Sequence, residues 1–68
     1  MTLESMMQLQ ETICLLLEHF KKDPGKSALW MMTPNPSLGN SVPFEFFLRG
    51  RGHKVLSFVK NALEENLR

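Results

Sequence analysis

Lys21-Lys22-Asp23-Pro24-Gly25-Lys26-Ser27-Ala28-Leu29-Trp30-Met31-Met32-Thr33-Pro34-Asn35-Pro36 is the stretch that decides the fold. It holds two Asx-Pro pairs, Asp23-Pro24 and Asn35-Pro36. An Asp or Asn side chain accepts hydrogen bonds from the free amides at a helix start, and a proline in the next position has no amide to leave unpaired. Asp23-Pro24 therefore opens a helix, predicted over residues 24–32. Thr33-Pro34 closes it, because the residue before a proline is pushed out of the helical region. Asn35-Pro36 starts a second, shorter turn, and Gly39-Asn40 supplies residues that tolerate the left-handed backbone needed to end it. Punctuation this dense marks short helices.

Working outward, residues 3–20 read as a longer helix. Met6, Leu9, Ile13, Leu16 and Phe20 recur at intervals of three and four, with Leu3 and Leu17 widening the stripe, and are expected to form its core face. Met7 and Cys14 form a second, narrower apolar line. It is either the edge of a wide core face, the reading favoured here, or a self-association seam. Lys21 and Lys22 suit the carbonyl end of this helix. In the helix that follows, Ala28, Leu29 and Met32 share one face and Trp30 lies to its side. Pro43 opens another short helix through Leu48, with Phe44, Phe47 and Leu48 inward, Val42 as a poor N-cap and Gly50 as the stop. Residues 52–66 form the last helix. Val55, Leu56, Val59, Ala62 and Leu63 line its inner face, while Lys54, Lys60, Asn61 and Glu64 point outward. No segment alternates with period two for long enough to make a strand. The fold class is all-α, a small bundle of two longer helices flanking two or three short ones, in one domain over residues 1–68.

Composition narrows the function. With 68 residues, the core can supply only about 3–5 kcal/mol without a staple. One cysteine excludes an intramolecular disulfide, so a homodimer is the expected way to bury more surface. A lone cysteine and the absence of a charged-then-apolar leader point to a cytoplasmic protein. The longest apolar run, residues 13–17, is too short to span a membrane. The net charge of +1 sets up no strong field toward nucleic acid or an acidic surface. Five Met and five Phe with no Tyr indicate soft, aromatic packing, with the methionines read mainly as core filling.

No catalytic constellation assembles. Cys14 lies in an apolar helical neighbourhood that does not activate a thiol. His19 and His53 are isolated, and no HExxH or CxxC spacing occurs. Glu64 and Glu65 are adjacent and cannot face each other on a helix. The expectation is no enzyme, with no cofactor, metal or catalytic residue. Arg49, Arg51 and Lys54 make the one local basic cluster. It is either a glycine-hinged loop with solvated charges or a dock for phosphate or an acidic partner. Helix-turn-helix DNA binding is not expected, because neither longer helix presents a polar, basic face.

The run from Ala28 through Trp30, Pro34, Asn35, Leu38, Pro43, Phe44 and Glu45 to Gly50, Val55 and Leu56 resembles the C-terminal toxin-binding domain of the MbcA/ParS/Xre antitoxins. The likeness covers roughly residues 12–64. It implies a helical domain that grips a toxin, commonly a RES-type enzyme that consumes NAD, and that carries Trp30, Pro34, Asn35, Leu38, Pro43 and Glu45 as motif residues beside Arg49, Arg51 and Lys54. Only one helix precedes the motif, so the promoter-binding helix-turn-helix domain of the family is not carried over. Asn40 stands where the family has a glycine. Leu67-Arg68 stand where family members often continue with a glycine-bearing tail, which leaves surface gripping, or no toxin at all, in place of plugging a toxin active site. Turn geometry alone also accounts for the prolines and Asn35. Trp30 is expected to anchor the loop against Phe44 or Phe47, with the contact surface then lying elsewhere, such as the last helix. A nucleic-acid-associated regulator or orphan adaptor using residues 49–54 is the alternative.

Overall fold

The structure, a computed structural model, describes residues 1–66, with side-chain surroundings for residues 1–64. Leu67 and Arg68, which the sequence places beyond the last helix, lie outside the described residues. Four helices follow one another: α1 (Leu3–His19), α2 (Pro24–Met32), α3 (Pro43–Leu48) and α4 (Gly52–Asn66), with one 3₁₀ turn, Pro36–Leu38, between α2 and α3. Among the described residues there is no strand, only an isolated bridge between Asn35 and Ser41. The local signals account for these boundaries. Thr2 Oγ1 accepts from the Ser5 amide at 3.0 Å to start α1. Asp23 Oδ1 accepts from the Lys26 amide at 3.1 Å to start α2, with Pro24 in the first turn. Val42 heads α3 and makes no side-chain cap, as its side chain has no acceptor to offer.

The core is Leu16, Met31, Phe47, Val55 and Val59. Phe47 sits at its centre with no exposed surface. α4 runs alongside α1 in the same direction. Gly52 lies beside Gln8 at one end, and Leu63 shares a cleft with Phe20 at the other. A Cβ on Gly52 would come within 2.4 Å of Phe47 Cδ1, so the close approach of α4 to α3 requires glycine there. The Lys60 Nζ–Glu11 Oε2 pair at 2.8 Å also links the two long helices, but both side chains are half-exposed and the pair contributes only about 0–1 kcal/mol.

The buried sides of α1 and α2 differ from the hydrophobic pattern. On α1 the buried residues are Ser5, Thr12 and Leu16, whereas Met6 and Ile13 keep 48% and 39% of their surface. On α2 they are Ser27 and Met31, leaving Ala28, Leu29 and Met32 exposed. Leu48 of α3 also faces solvent rather than the core. The reason lies in the hydroxyls. Thr12 Oγ1 donates to the Gln8 carbonyl at 2.7 Å and Ser27 Oγ donates to the Asp23 carbonyl at 3.1 Å. Ser5 Oγ accepts from Thr2 Oγ1 at 3.0 Å. Each is satisfied within its own helix or cap, so burial leaves no unpaired polar atom, and its small volume lets helices approach closely. The methionines follow the same reversal: Met31 is buried, while Met1, Met6, Met7 and Met32 are exposed rather than core filling.

The α1–α2 corner holds a further difference. Lys21 and Lys22 lie past the helix end with φ of 55° and 64°. The Lys22 amide donates to the Leu17 carbonyl, as a helix-terminating turn requires. A non-glycine residue in this region costs about 1–2 kcal/mol. The two lysines therefore make the turn rather than simply complementing the helix dipole.

Candidate partner-binding surfaces

The loop after α2 is organised by one residue. Asn35 Oδ1 accepts from the Ser37 amide at 2.9 Å, and the Asn35 carbonyl accepts from the amides of Leu38 and Asn40, both at 2.9 Å. Its own amide donates to the Ser41 carbonyl at 3.0 Å. Gly39 and Asn40 take left-handed φ of 68° and 61°, so Asn40 fills the turn position where the resembled family has glycine. Pro34, Pro36 and Ser37 are left on the outside, Leu38 is half-buried against the core and Pro43 is buried at the base of the loop. Trp30 secures the other end. It stacks on Phe58 of α4 with ring centroids 6.4 Å apart and an interplanar angle of 15°, not on Phe44 or Phe47 as expected. The side of α2 that turns inward at Met31 decides this, since Trp30 then points at α4.

Three of the basic and acidic site residues come together. Glu45, Arg49 and Arg51 line a small cleft of about 120 Å³ with Ser41 and Phe46. Gly50, at φ 74°, turns the chain between the two arginines, and the Arg51 amide donates to the Phe46 carbonyl at 2.7 Å. Ser41 joins this cleft to the Asn35 loop, so Pro34, Asn35, Glu45, Arg49 and Arg51 belong to one continuous surface. Lys54 is exposed on the first turn of α4 and does not line the cleft. Trp30 belongs to a separate cleft of about 190 Å³ between the ends of α1 and α4.

The residue pattern did not single out the largest concave feature. Leu9, Ile13 and Leu17 of α1, Ala28 and Met32 of α2 and Phe44 of α3 line an apolar groove of about 290 Å³ that no charged side chain borders. Its α1 wall is part of the stripe expected to form the core face, whereas Met7 and Cys14 are exposed on another side of the helix and are not the edge of a core face. What hid it was the assumption that the most apolar stripe of α1 must be its buried one.

Among the described residues, no group of three His, Cys, Asp or Glu side chains is placed to hold a metal ion, and no helix is long and apolar enough to cross a membrane. Set against protein-family models, curated proteins and solved structures, the chain finds no match.

Proposed function

We propose that this chain is a protein-binding domain similar to the toxin-binding domain of the MbcA/ParS/Xre antitoxins, acting as a cytoplasmic homodimer and neutralising a RES-type, NAD-consuming toxin. The observation that carries the reading is the preorganised loop of Pro34, Asn35 and Leu38, held between Trp30 of α2 and Pro43 of α3 and adjoining Glu45, Arg49 and Arg51. A loop held at both ends keeps a single conformation, so little ordering entropy is lost when a partner docks. Exposed Pro34, Pro36 and Ser37 with the adjoining Glu45–Arg49–Arg51 cleft offer the mixed polar rim of a transient protein interface. The proposal assigns the chain no catalysis of its own and no cofactor.

The alternative, a nucleic-acid-associated regulator using residues 49–54, is weaker because Glu45 shares the cleft with both arginines and repels phosphate. The test is affinity capture of the tagged chain from its native lysate, followed by an assay of NAD consumption in the captured fraction. Recovery of a stoichiometric enzyme that consumes NAD only after the chain is stripped away supports neutralisation, and the Arg49→Glu/Arg51→Glu double variant should lose it. Salt-sensitive recovery of nucleic acid with no such enzyme would overturn the antitoxin reading.

A further inference from the structure

The turn that ends α3 brings two cations to one cleft and gives neither a counter-ion. The amides of Arg49, Gly50 and Arg51 donate to the carbonyls of Glu45, Phe47 and Phe46 at 3.1, 3.2 and 2.7 Å, which fixes the backbone on which both arginines stand. Gly50 takes the left-handed φ of 74° at the middle of this turn, and Arg49 and Arg51 line the same cleft on either side of it. Glu45 precedes Arg49 by four residues, the spacing at which an acid and a base pair along a helix. They do not pair. Among the described residues the one ion pair is Lys60–Glu11, so neither arginine is neutralised by Glu45 or by any other described carboxylate. Ser41 and Phe46, both half-buried, complete the lining, and Phe46 also packs against the core.

We propose that this cleft captures a single side-chain carboxylate of a protein partner between the guanidinium groups of Arg49 and Arg51, and that Glu45 makes it select a carboxylate over a phosphate. The inference rests on the reading of this surface as partner-binding, and not on the partner being a toxin. Charge selects the ligand. The cleft holds one carboxylate and two guanidinium groups, a net charge of +1, which one incoming carboxylate brings to zero. A phosphomonoester carries about −1.5 to −2 at neutral pH and would leave the cleft negative beside Glu45. The planar fork of arginine donors matches the two oxygens of a carboxylate, which gives direction as well as attraction. Phe46 presents an apolar wall to the methylene groups of a glutamate side chain, and Ser41 adds a hydroxyl. A volume of about 120 Å³ suits one such head group rather than a nucleotide. Because the turn is already fixed by its own backbone bonds, docking orders only side chains.

The test is heteronuclear NMR of the purified full chain, titrated at fixed ionic strength with three capped tripeptides. These are acetyl-Ala-Glu-Ala-amide, its glutamine counterpart and its phosphoserine counterpart. The glutamate peptide should shift the backbone signals of Ser41, Phe46 and Arg51 and the side-chain Nε–H signals of Arg49 and Arg51 to saturation, and the glutamine peptide should not. Arg49→Gln and Arg51→Gln should each weaken the glutamate peptide about tenfold, the loss of one charge-assisted hydrogen bond. Glu45→Gln should reverse the selectivity, so that the phosphoserine peptide binds more tightly than the glutamate peptide. All three side chains are exposed, so the variants should keep the helical circular dichroism of the wild type. Absence of a saturable shift at the cleft, or an equal response to the glutamine peptide, would overturn carboxylate capture. A wild-type preference for the phosphoserine peptide would overturn it in favour of a phosphate ligand. Each of those results leaves capture of a NAD-consuming enzyme to stand or fall by its own assay. Saturable glutamate binding with no such enzyme captured would keep the cleft and remove only the toxin.

Discussion

The two sides of α1 depart from the usual relation between polarity and burial. Ser5, Thr12 and Leu16 are buried with Leu9 and Phe20 packed beside the core, while Leu3, Met6, Met7 and Ile13 face solvent along with Glu4, Glu11 and Glu18. The difference teaches that a hydroxyl bonded to its own helix costs little to bury, so volume decides which face packs. Where α4 must come close, as at Gly52 beside Gln8 and Phe47, small side chains win the inner position. Large apolar residues are displaced outward, as at Leu3, Met6 and Met7.

The hardest way to break this comparison is to add bulk on the inner side. Gly52→Ala drives a methyl group into Phe47, which is fully buried and has no room to yield. We expect a loss of about 3 kcal/mol, the upper end for overpacking, in a domain whose whole stability is of similar size. Thermal denaturation followed by circular dichroism should then show a chain largely unfolded at room temperature. Thr12→Leu sharpens the point, because hydrophobicity alone would make it stabilising. At a site with 0% exposure it should instead cost about 1–3 kcal/mol in urea unfolding followed by Trp30 fluorescence. If the midpoint rises, the inner face is not limited by volume.

Smaller effects belong to the loop and the outer face. Asn35→Ala removes the Oδ1 acceptor of the Ser37 amide and should cost about 1 kcal/mol by the same urea measurement, with the backbone bonds of the loop retained. Met7→Gln should change the stability of the isolated chain by no more than about 0.5 kcal/mol, measured at a dilution that suppresses self-association, because 62% of Met7 is already in water. A loss comparable to that of Thr12→Leu would mean that the outer face packs within one molecule, and the comparison would fail.

Much of the site was legible because its signals are local. Asn35 was readable as a cap and Asn40 as a left-handed residue, and the loop follows those two roles through bonds that reach no further than Ser41. The cleft of Glu45, Arg49 and Arg51 was legible only as a run of charges, since the turn at Gly50 decides which of them converge and leaves Lys54 out. The stacking of Trp30 on Phe58 was not legible, because it joins residues far apart in sequence.

The sequence by itself determined where each helix begins and ends, since caps, prolines and left-handed glycines act within about four residues of the position they control. It determined the all-α class for the same reason. Only the tertiary structure decided which face of α1 and α2 is inside. That choice is made by packing against helices far along the chain: α4 lies against α1, with Gly52 beside Gln8, and Phe47 of α3 fills the core centre together with Leu16 and Met31.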